Sequence, residues 1–185
     1  VDLYSHLLPE GTKEGLNQFS FIGQGFIAGI PVPVYVFIII AVAAYVFLAH
    51  TATGRYIFAV GSNAETARLS GVNVERTTIQ VFVLSGIAIA LASIVYLARL
   101  TAAQPTAGQS YEMEAVAATV IGGTSIAGGE GGIFGTVIGA VIVTVIRNGL
   151  VQLGVGSYFT TLVVGVIIIA AVSLDVIRTR IAANK

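Results

Sequence analysis

The stretch VYVFIIIAVAAYVFLAH, residues 34–50, decides the fold of this chain of 185 residues. It contains no Asp, Glu, Lys or Arg. As an α-helix with a rise of about 1.5 Å per residue, the stretch extends over roughly 25 Å. That length of hydrocarbon side chains approaches the apolar thickness of a bilayer. The stretch therefore predicts a helix that spans a membrane.

The composition of the whole chain agrees with this interpretation. Hydrophobic residues make up 56% and charged residues 10% of the chain, and the mean hydropathy is +0.92. A soluble protein would have to expose runs such as 34–49 and 162–174 to water, so we predict an all-α integral membrane protein. A formal net charge of zero gives no indication of a nucleic-acid partner, and the absence of cysteine excludes disulfides and thiolate metal sites.

Further apolar stretches follow towards the C-terminus. The run 81–98 lies in a helix that we expect from Val74 to Arg99, long enough to cross with a tilt. Residues 115–146 predict two membrane segments that meet at a turn from Gly129 to Gly132, the first of them short or broken. The run 158–174 is the last clear span, which gives about five membrane segments in all.

The flanks of these segments divide the chain into three parts. Residues 1–33 form an extramembrane or interfacial lead-in, 34–176 the transmembrane domain with a polar loop at 51–77, and 177–185 a polar tail. The chain starts with a valine, and its first residues lack the basic start and apolar core of a signal peptide. We therefore expect a fragment or a processed chain.

The positions of basic residues predict the orientation in the membrane. The loop 51–77 and the tail hold Arg55, Arg68, Arg76, Arg178, Arg180 and Lys185. The connection 100–114 has only Arg99 at its edge, so the positive-inside rule places the loop and the tail in the cytoplasm. Arg147 falls near the outer end of the span that starts at Ile133, where it either snorkels to the interface or marks a functional position.

The polar loop after the first span contains the segment SNAETARLSG. Ser62 and Glu65 match the S-x-x-E capping box, and Gly71 supplies a helix stop. The helix from Asn63 to Ser70 is about 12 Å long and therefore marginal by itself in water. Asn73 caps the following span. Two interpretations fit this spacing: a docking element for a partner, or an ordinary solvated loop.

Glycines interrupt the apolar stretch 115–146. Gly135 and Gly139 have G-x-x-x-G spacing, which predicts a helix face for close contact. The cluster from Gly122 to Gly132 permits a break or turn at membrane depth. It contains no G-x-G-x-x-G, and no lysine in the chain follows a glycine-rich phosphate loop, so nothing in the sequence hydrolyses ATP. Helix packing and lining of a translocation path remain alternative roles for the glycines.

Two longer segments carry a resemblance to a known family. GRYIFAVGSNAETARLSGVNV, residues 54–74, and ARLTAAQPTAGQSYEMEAVAATVIGGTSIAGGEGGIFGTVIGA, residues 98–140, resemble the C-terminal part of bacterial monosaccharide ABC transporter permeases of the ribose type. The resemblance extends over about 29–174 and is weak over 1–28. The chain has about half of the roughly ten spans of that family.

The resemblance implies a function and partners. Such permeases lie in the inner (plasma) membrane, work as a pair with a second permease copy, and receive a monosaccharide from a periplasmic sugar-binding protein. Separate ATPase subunits supply the energy, so the permease is not an enzyme and needs no cofactor. By position, the coupling helix that docks on the ATPase comprises Ser62, Asn63, Ala64, Glu65, Ala67, Arg68, Leu69, Ser70 and Gly71.

A sugar pathway needs polar and aromatic side chains, because hydroxyl-rich ligands bind through bidentate polar groups and aromatic faces. Such residues gather in the outer connection and in the segments beside it, where they either belong to a solvated loop or contact the sugar or its delivery protein. The candidates for the substrate path are Gln104, Tyr111, Glu114, Thr124 and Asn148.

Two other classes of function compete with an ATP-driven permease. A gradient-driven secondary transporter or channel usually places ionisable groups inside its spans, and the clear spans here contain none. A purely structural membrane subunit would leave the capped cytoplasmic helix without a role. The sequence therefore favours a permease subunit of an ABC importer.

Overall fold

A computed structural model describes residues 19–100, 108–109 and 111–156, and single positions of the last predicted span at 159, 162–163, 165–167, 169 and 173. The predicted tail 177–185 and most of the predicted lead-in 1–33 lie outside the described residues. Residues 19–24 are helical. The elements that follow them, in chain order, are β1 (Phe26–Ile27), β2 (Ile30–Pro31), α1 (Val32–His50), α2 (Ala52–Ser62), α3 (Ala64–Leu69), α4 (Val74–Leu100), α5 (Tyr111–Ile121) and α6 (Ile133–Gln152).

Three of these helices are long and apolar enough to cross a bilayer, namely α1, α4 and α6, with 19, 27 and 20 residues. None of the residues of α1 is buried within the chain. Such a continuous apolar surface is stable next to lipid or other membrane helices and not in water. The prediction of an all-α membrane protein is confirmed at this level, while the expected number of about five segments stays a prediction.

Contacts within the chain define two units, one formed by Val1–Val42 with Ile79–Ala107 and the other by Ala43–Thr78 with Gly108–Lys185. In the first unit, β1 and β2 pair as an antiparallel hairpin that leads into α1. Ala28 and Gly29 have φ angles of +51° and +82°, as a type I′ turn requires at both central positions. The helix then starts before the apolar run, with Pro33 in its first turn, where a missing N–H removes no helical hydrogen bond.

The second unit begins with a corner between α1 and α2. The Thr51 hydroxyl donates to the carbonyl of Phe47 at 2.6 Å and accepts the N–H of Gly54 at 3.1 Å. It therefore ends one helix and caps the next. The sequence pattern predicts a polar loop over 51–77 and does not predict the helix α2 within it. The missed signal was the N-cap threonine, which is followed by residues of ordinary helix propensity.

The start of the short helix α3 corrects the predicted capping box. Ser62 is the last residue of α2, and Asn63 is the N-cap of α3, with its Oδ1 accepting the N–H of Thr66 at 2.9 Å. The N–H of Asn63 donates to the carbonyl of Ala59 at 3.1 Å. In a capping box, a glutamate side chain would accept the N–H at the start of the helix. Because the N–H of Asn63 is already bonded within α2, it does not need Glu65 as an acceptor. The prediction of Ser62 and Glu65 as a capping box is wrong.

The end of α3 agrees with the sequence. Gly71 has a φ of +86°, its N–H donates to the carbonyl of Arg68, and the N–H of Val72 donates to the carbonyl of Ala67, both at 3.0 Å. These are the two hydrogen bonds of a Schellman motif. Asn73 Oδ1 then accepts the N–H of Arg76 at 2.9 Å and caps α4. The predicted helix stop and the predicted cap of the second span are both confirmed.

The helices α5 and α6 pack against each other and enclose the small core of the second unit. Ala117, Ala118 and Val143 are buried there. The helix α5 has 11 residues, or about 16 Å, roughly half of the hydrocarbon thickness. A short first segment before a glycine-rich connection is what the sequence predicted.

Candidate functional site

The helix α3 presents a mixed polar and apolar surface between two candidate spans. Glu65, Arg68 and Leu69 are exposed, and the side chain of Leu69 is exposed by 81%. Ala67 is instead buried and ties α3 to its own unit. The predicted coupling residues therefore divide into a buried anchor and an outward-facing set.

A shallow pocket of about 240 Å³ adjoins the same helix. Small side chains from α2, α3 and the following turn surround it. The lining residues are Ala59, Ser62, Asn63, Thr66, Ala67, Ser70 and Val72. Its lining offers both methyl and hydroxyl groups.

The glycine-rich connection between α5 and α6 reaches the end of α2. A Cβ atom built on Gly128 would collide with the carbonyl oxygen of Gly61, and one built on Gly129 would lie 2.6 Å from Cβ of Ser62. The backbones approach so closely that a side chain has no room. The glycine pattern predicts a turn but not this contact, because residues more than sixty positions apart show no sequence pattern in common.

The two glycines with G-x-x-x-G spacing lie where α6 meets α5. A Cβ atom on Gly135 would collide with the carbonyl oxygen of Gly122, and one on Gly139 with the carbonyl oxygen of Ala118. Each carbonyl occupies the space that a side chain would fill. The two helices therefore approach each other along the face that carries both glycines.

A charged and aromatic cluster lies at the opposite end of the same helix pair. Nη1 of Arg147 lies 2.6 Å from Oε1 of Glu114 and donates to Oε2 at 2.7 Å. The Arg147 guanidinium carbon stands 5.7 Å from the centre of the Tyr111 ring, at cation–π distance. The Arg147 and Glu114 side chains are 40% and 25% exposed. The pair is therefore accessible from outside the unit.

The structure brings together some of the predicted substrate-path residues and separates others. Tyr111 and Glu114 share the cluster, and Asn148 is exposed next to Arg147 on α6. Thr124 follows α5 at its other end, where its side chain adjoins Gly131. Gln104 lies outside the described residues. In the sequence, Arg147 is an exception to the charge pattern. Its partner Glu114 is an acid in another mainly apolar segment, and these two isolated charges were the signal from which the ion pair could have been predicted.

Comparisons with known proteins identify relatives. The chain is 48% identical over 165 residues to the ribose import permease protein of Escherichia coli K12. The aligned residues cover 89% of this chain and 51% of that protein. It is 43% identical over 175 residues to the xylose transport system permease protein of Haemophilus influenzae, covering 92% and 47%. A probable ABC transporter permease protein of Escherichia coli K12 is 43% identical over 162 residues, covering 87% and 48%.

The chain thus spans about half the length of the curated relatives it matches. No solved structure matches it. Residues 8–172 match the family described as branched-chain amino acid transport system / permease component. With that match and three helices of bilayer length, the chain belongs to this family of membrane transport permeases.

Proposed function

We propose that the chain is a membrane-spanning part of an ABC importer that moves a monosaccharide across the inner membrane. Two of the relatives are named for ribose and xylose, and a third for ABC transport. The partners are a separate ATPase, a periplasmic sugar-binding protein and a second permease copy. A gradient-driven carrier is not favoured, because one relative is named as a probable ABC transporter permease and the clear spans contain no ionisable group for ion coupling.

The observation that carries the ATP-driven mechanism is the geometry of α3. It is a capped helix of 6 residues, too short to be stable alone, and it exposes Leu69 between two spans. Covering a leucine side chain contributes roughly 1.5–3 kcal/mol. The helix therefore suits a groove on the ATPase, with Leu69 inserted and Glu65 and Arg68 beside it.

The residues that fix α3 in place have a different role in this proposal. The cap residue Asn63 and the stop at Gly71 set the limits of the helix, and the buried Ala67 anchors it. Ala64 and Ser70 are exposed and belong to the surface offered to the ATPase. Because Ala67 is buried, an Ala67→Trp change disturbs the packing of α3 against its own unit and affects the ATPase contact only indirectly. Ser62, at the end of α2, acts through the position of the helix.

The cluster of Tyr111, Glu114 and Arg147 supports a place on the substrate path. An ion pair that is partly exposed on a membrane helix is costly beside lipid, so this face is directed towards water or protein. A carboxylate, a guanidinium and an aromatic face are the groups that bind sugar hydroxyls and ring faces. Asn148 extends the cluster, and Gln104 and Thr124 stay further candidates for the same path.

The experiment compares two equally exposed leucines in the assembled transporter. Leu69 is 81% and Leu153 80% exposed, and Leu153 lies just beyond the end of α6. We expect Leu69→Gln to weaken binding of the ATPase by about ten-fold or more, since 1.4 kcal/mol corresponds to a factor of ten. Leu153→Gln is the matched control and retains binding. Equal ATPase binding by both variants in a pull-down titration would contradict the proposed docking surface.

A further inference from the structure

The connection between α5 and α6 touches the end of α2 without intervening side chains. Gly128 and Gly129 have φ angles of +92° and +78°, which glycine adopts without strain. A Cβ atom on Gly61 would lie 3.1 Å from the backbone nitrogen of Gly129. We call the contact of Gly61 and Ser62 with Gly128 and Gly129 the glycine junction.

Each side of the glycine junction is firmly attached to its neighbouring elements. On one side, the N–H of Asn63 bonds to Ala59 of α2, so α2 and α3 share a hydrogen-bonded corner. On the other side, the N–H of Ser125 donates to the carbonyl of Glu130 at 3.0 Å, and that of Gly128 to the carbonyl of Ser125 at 3.2 Å. The connection is thereby closed into a compact turn directly before α6.

We propose that the glycine junction passes a displacement of α3 to the helix pair α5 and α6. Backbone in contact with backbone has no rotatable side chain that could absorb the movement, and closely packed interiors transmit strain. The close contacts of Gly135 and Gly139 then make α5 and α6 move together. The glycines of the junction are positioning residues, which act through the helices they connect. This inference rests on the proposed docking of α3 to an ATPase.

The experiment adds one methyl group at the junction and compares it with matched glycines. Gly61→Ala places the methyl in a helix, where alanine is favourable, and Gly128→Ala places it against the Gly61 carbonyl. Gly123→Ala controls for backbone strain, since Gly123 has a φ of +87° and no atom within 4 Å of its Cβ position. Gly132→Ala controls for loss of a glycine in the same connection, again with no atom within 4 Å.

The measurements use the assembled transporter with its ATPase and sugar-binding protein in vesicles. We expect the junction variants Gly61→Ala and Gly128→Ala to keep the bound ATPase and its basal ATP hydrolysis. Stimulation of hydrolysis by loaded binding protein, and sugar uptake, fall by about ten-fold, within the usual range of coupling between sites. Gly132→Ala stays close to wild type in all four measurements. Gly123→Ala carries the strain of a positive φ without the collision, so it loses clearly less stimulation and uptake than Gly128→Ala.

Several results would overturn the inference. Normal stimulation and uptake in Gly61→Ala would show that the junction transmits nothing, and this variant remains informative if Gly128→Ala fails to fold. Equal losses in Gly123→Ala and Gly128→Ala would assign the effect to backbone strain. A wild-type transporter that binds no ATPase would refute the proposed function itself, which distinguishes the two failures.

Discussion

At the scale of single residues, Asn63 has two roles at the corner between α2 and α3. Its backbone N–H completes the last turn of α2 on the carbonyl of Ala59, and its side chain opens α3 by accepting the N–H of Thr66. The backbone at this residue is extended, with φ −157° and ψ 105°. One residue therefore sets the angle at which the short helix leaves its neighbour.

Replacement of this cap tests its contribution. We expect Asn63→Ala to destabilise α3 by about 0.5–2 kcal/mol, because the N–H of Thr66 loses its acceptor. Amide hydrogen exchange over 64–69 measures the effect directly, and ATPase binding should fall with it. Ser62→Ala is the control, since it keeps the Cβ and removes a hydroxyl that caps no helix. Faster amide exchange over 64–69 in Ser62→Ala than in Asn63→Ala would instead identify Ser62 as the cap and contradict the role of Asn63.

The ion pair of Glu114 and Arg147 permits a second test at the residue scale. Glu114→Arg places two cations at ion-pair distance and should impair assembly, and adding Arg147→Glu should restore it, because the pair is then reversed. If the cluster contacts sugar, uptake stays low in the reversed pair although assembly recovers. Size-exclusion profiles and uptake in vesicles give the two readouts.

The control for this test lies on the same helix. Glu112 is exposed in the first turn of α5, so Glu112→Arg introduces the same charge change away from Arg147. We expect normal assembly and uptake for this variant. Full uptake by the reversed pair of Glu114 and Arg147 would limit the ion pair to a structural role and remove it from the substrate path.

At the scale of elements, α5 and α6 depend on the absence of side chains at two positions. The carbonyl oxygens of Gly122 and Ala118 occupy the Cβ positions of Gly135 and Gly139. This contact is closer than the G-x-x-x-G pattern alone indicates, since a pattern does not distinguish a glycine that needs space from one that tolerates alanine. Even a methyl group is therefore too large at these positions.

We expect Gly139→Ala to lower the thermal unfolding midpoint of the purified protein. The added Cβ would collide with the Ala118 carbonyl and lie 2.9 Å from the nitrogen of Gly122, and overpacking of this kind costs about 1–3 kcal/mol. Gly149→Ala on the same helix is the control, because no atom lies within 4 Å of its Cβ position. The same midpoint for both variants would disprove the close contact.

At the scale of the whole molecule, the distribution of charge and apolar surface sets the relation to the membrane. Few residues of the three candidate spans are buried within the described part of the chain, so in a bilayer lipid or other membrane helices would cover their apolar surface. Of the arginines of the loop 51–77, Arg55 lies in α2, Arg68 in α3 and Arg76 in the first turn of α4. The positive-inside rule therefore predicts that the proposed ATPase-docking surface faces the cytoplasm.

Single cysteines can test this orientation, because the chain contains none of its own. We expect Gln109→Cys to react with a membrane-impermeant maleimide from the outer side of the membrane, and Ser70→Cys to react only after permeabilisation. Both side chains are exposed, so accessibility within the protein does not separate them. Labelling in the opposite order would reverse the predicted topology.

The sequence by itself determined the helical membrane class, the first two candidate spans, and the helix stop and the following cap at the end of the loop 51–77. These features depend on local properties: uninterrupted apolar runs, the left-handed conformation at Gly71 and the side-chain cap at Asn73. Such signals act within a few residues, and therefore a single sequence displays them. The family followed from longer segments, because their residues match over most of the chain.

The tertiary structure alone decided which distant residues meet. Asn63 replaced Ser62 as the cap because α2 continues to Ser62, and the continuation of a helix of average propensity depends on what it packs against. The glycine junction, and the ion pair of Glu114 with Arg147, join segments that are far apart in the chain. Contacts of this kind have no local pattern, since they arise from the path of the backbone between the helices.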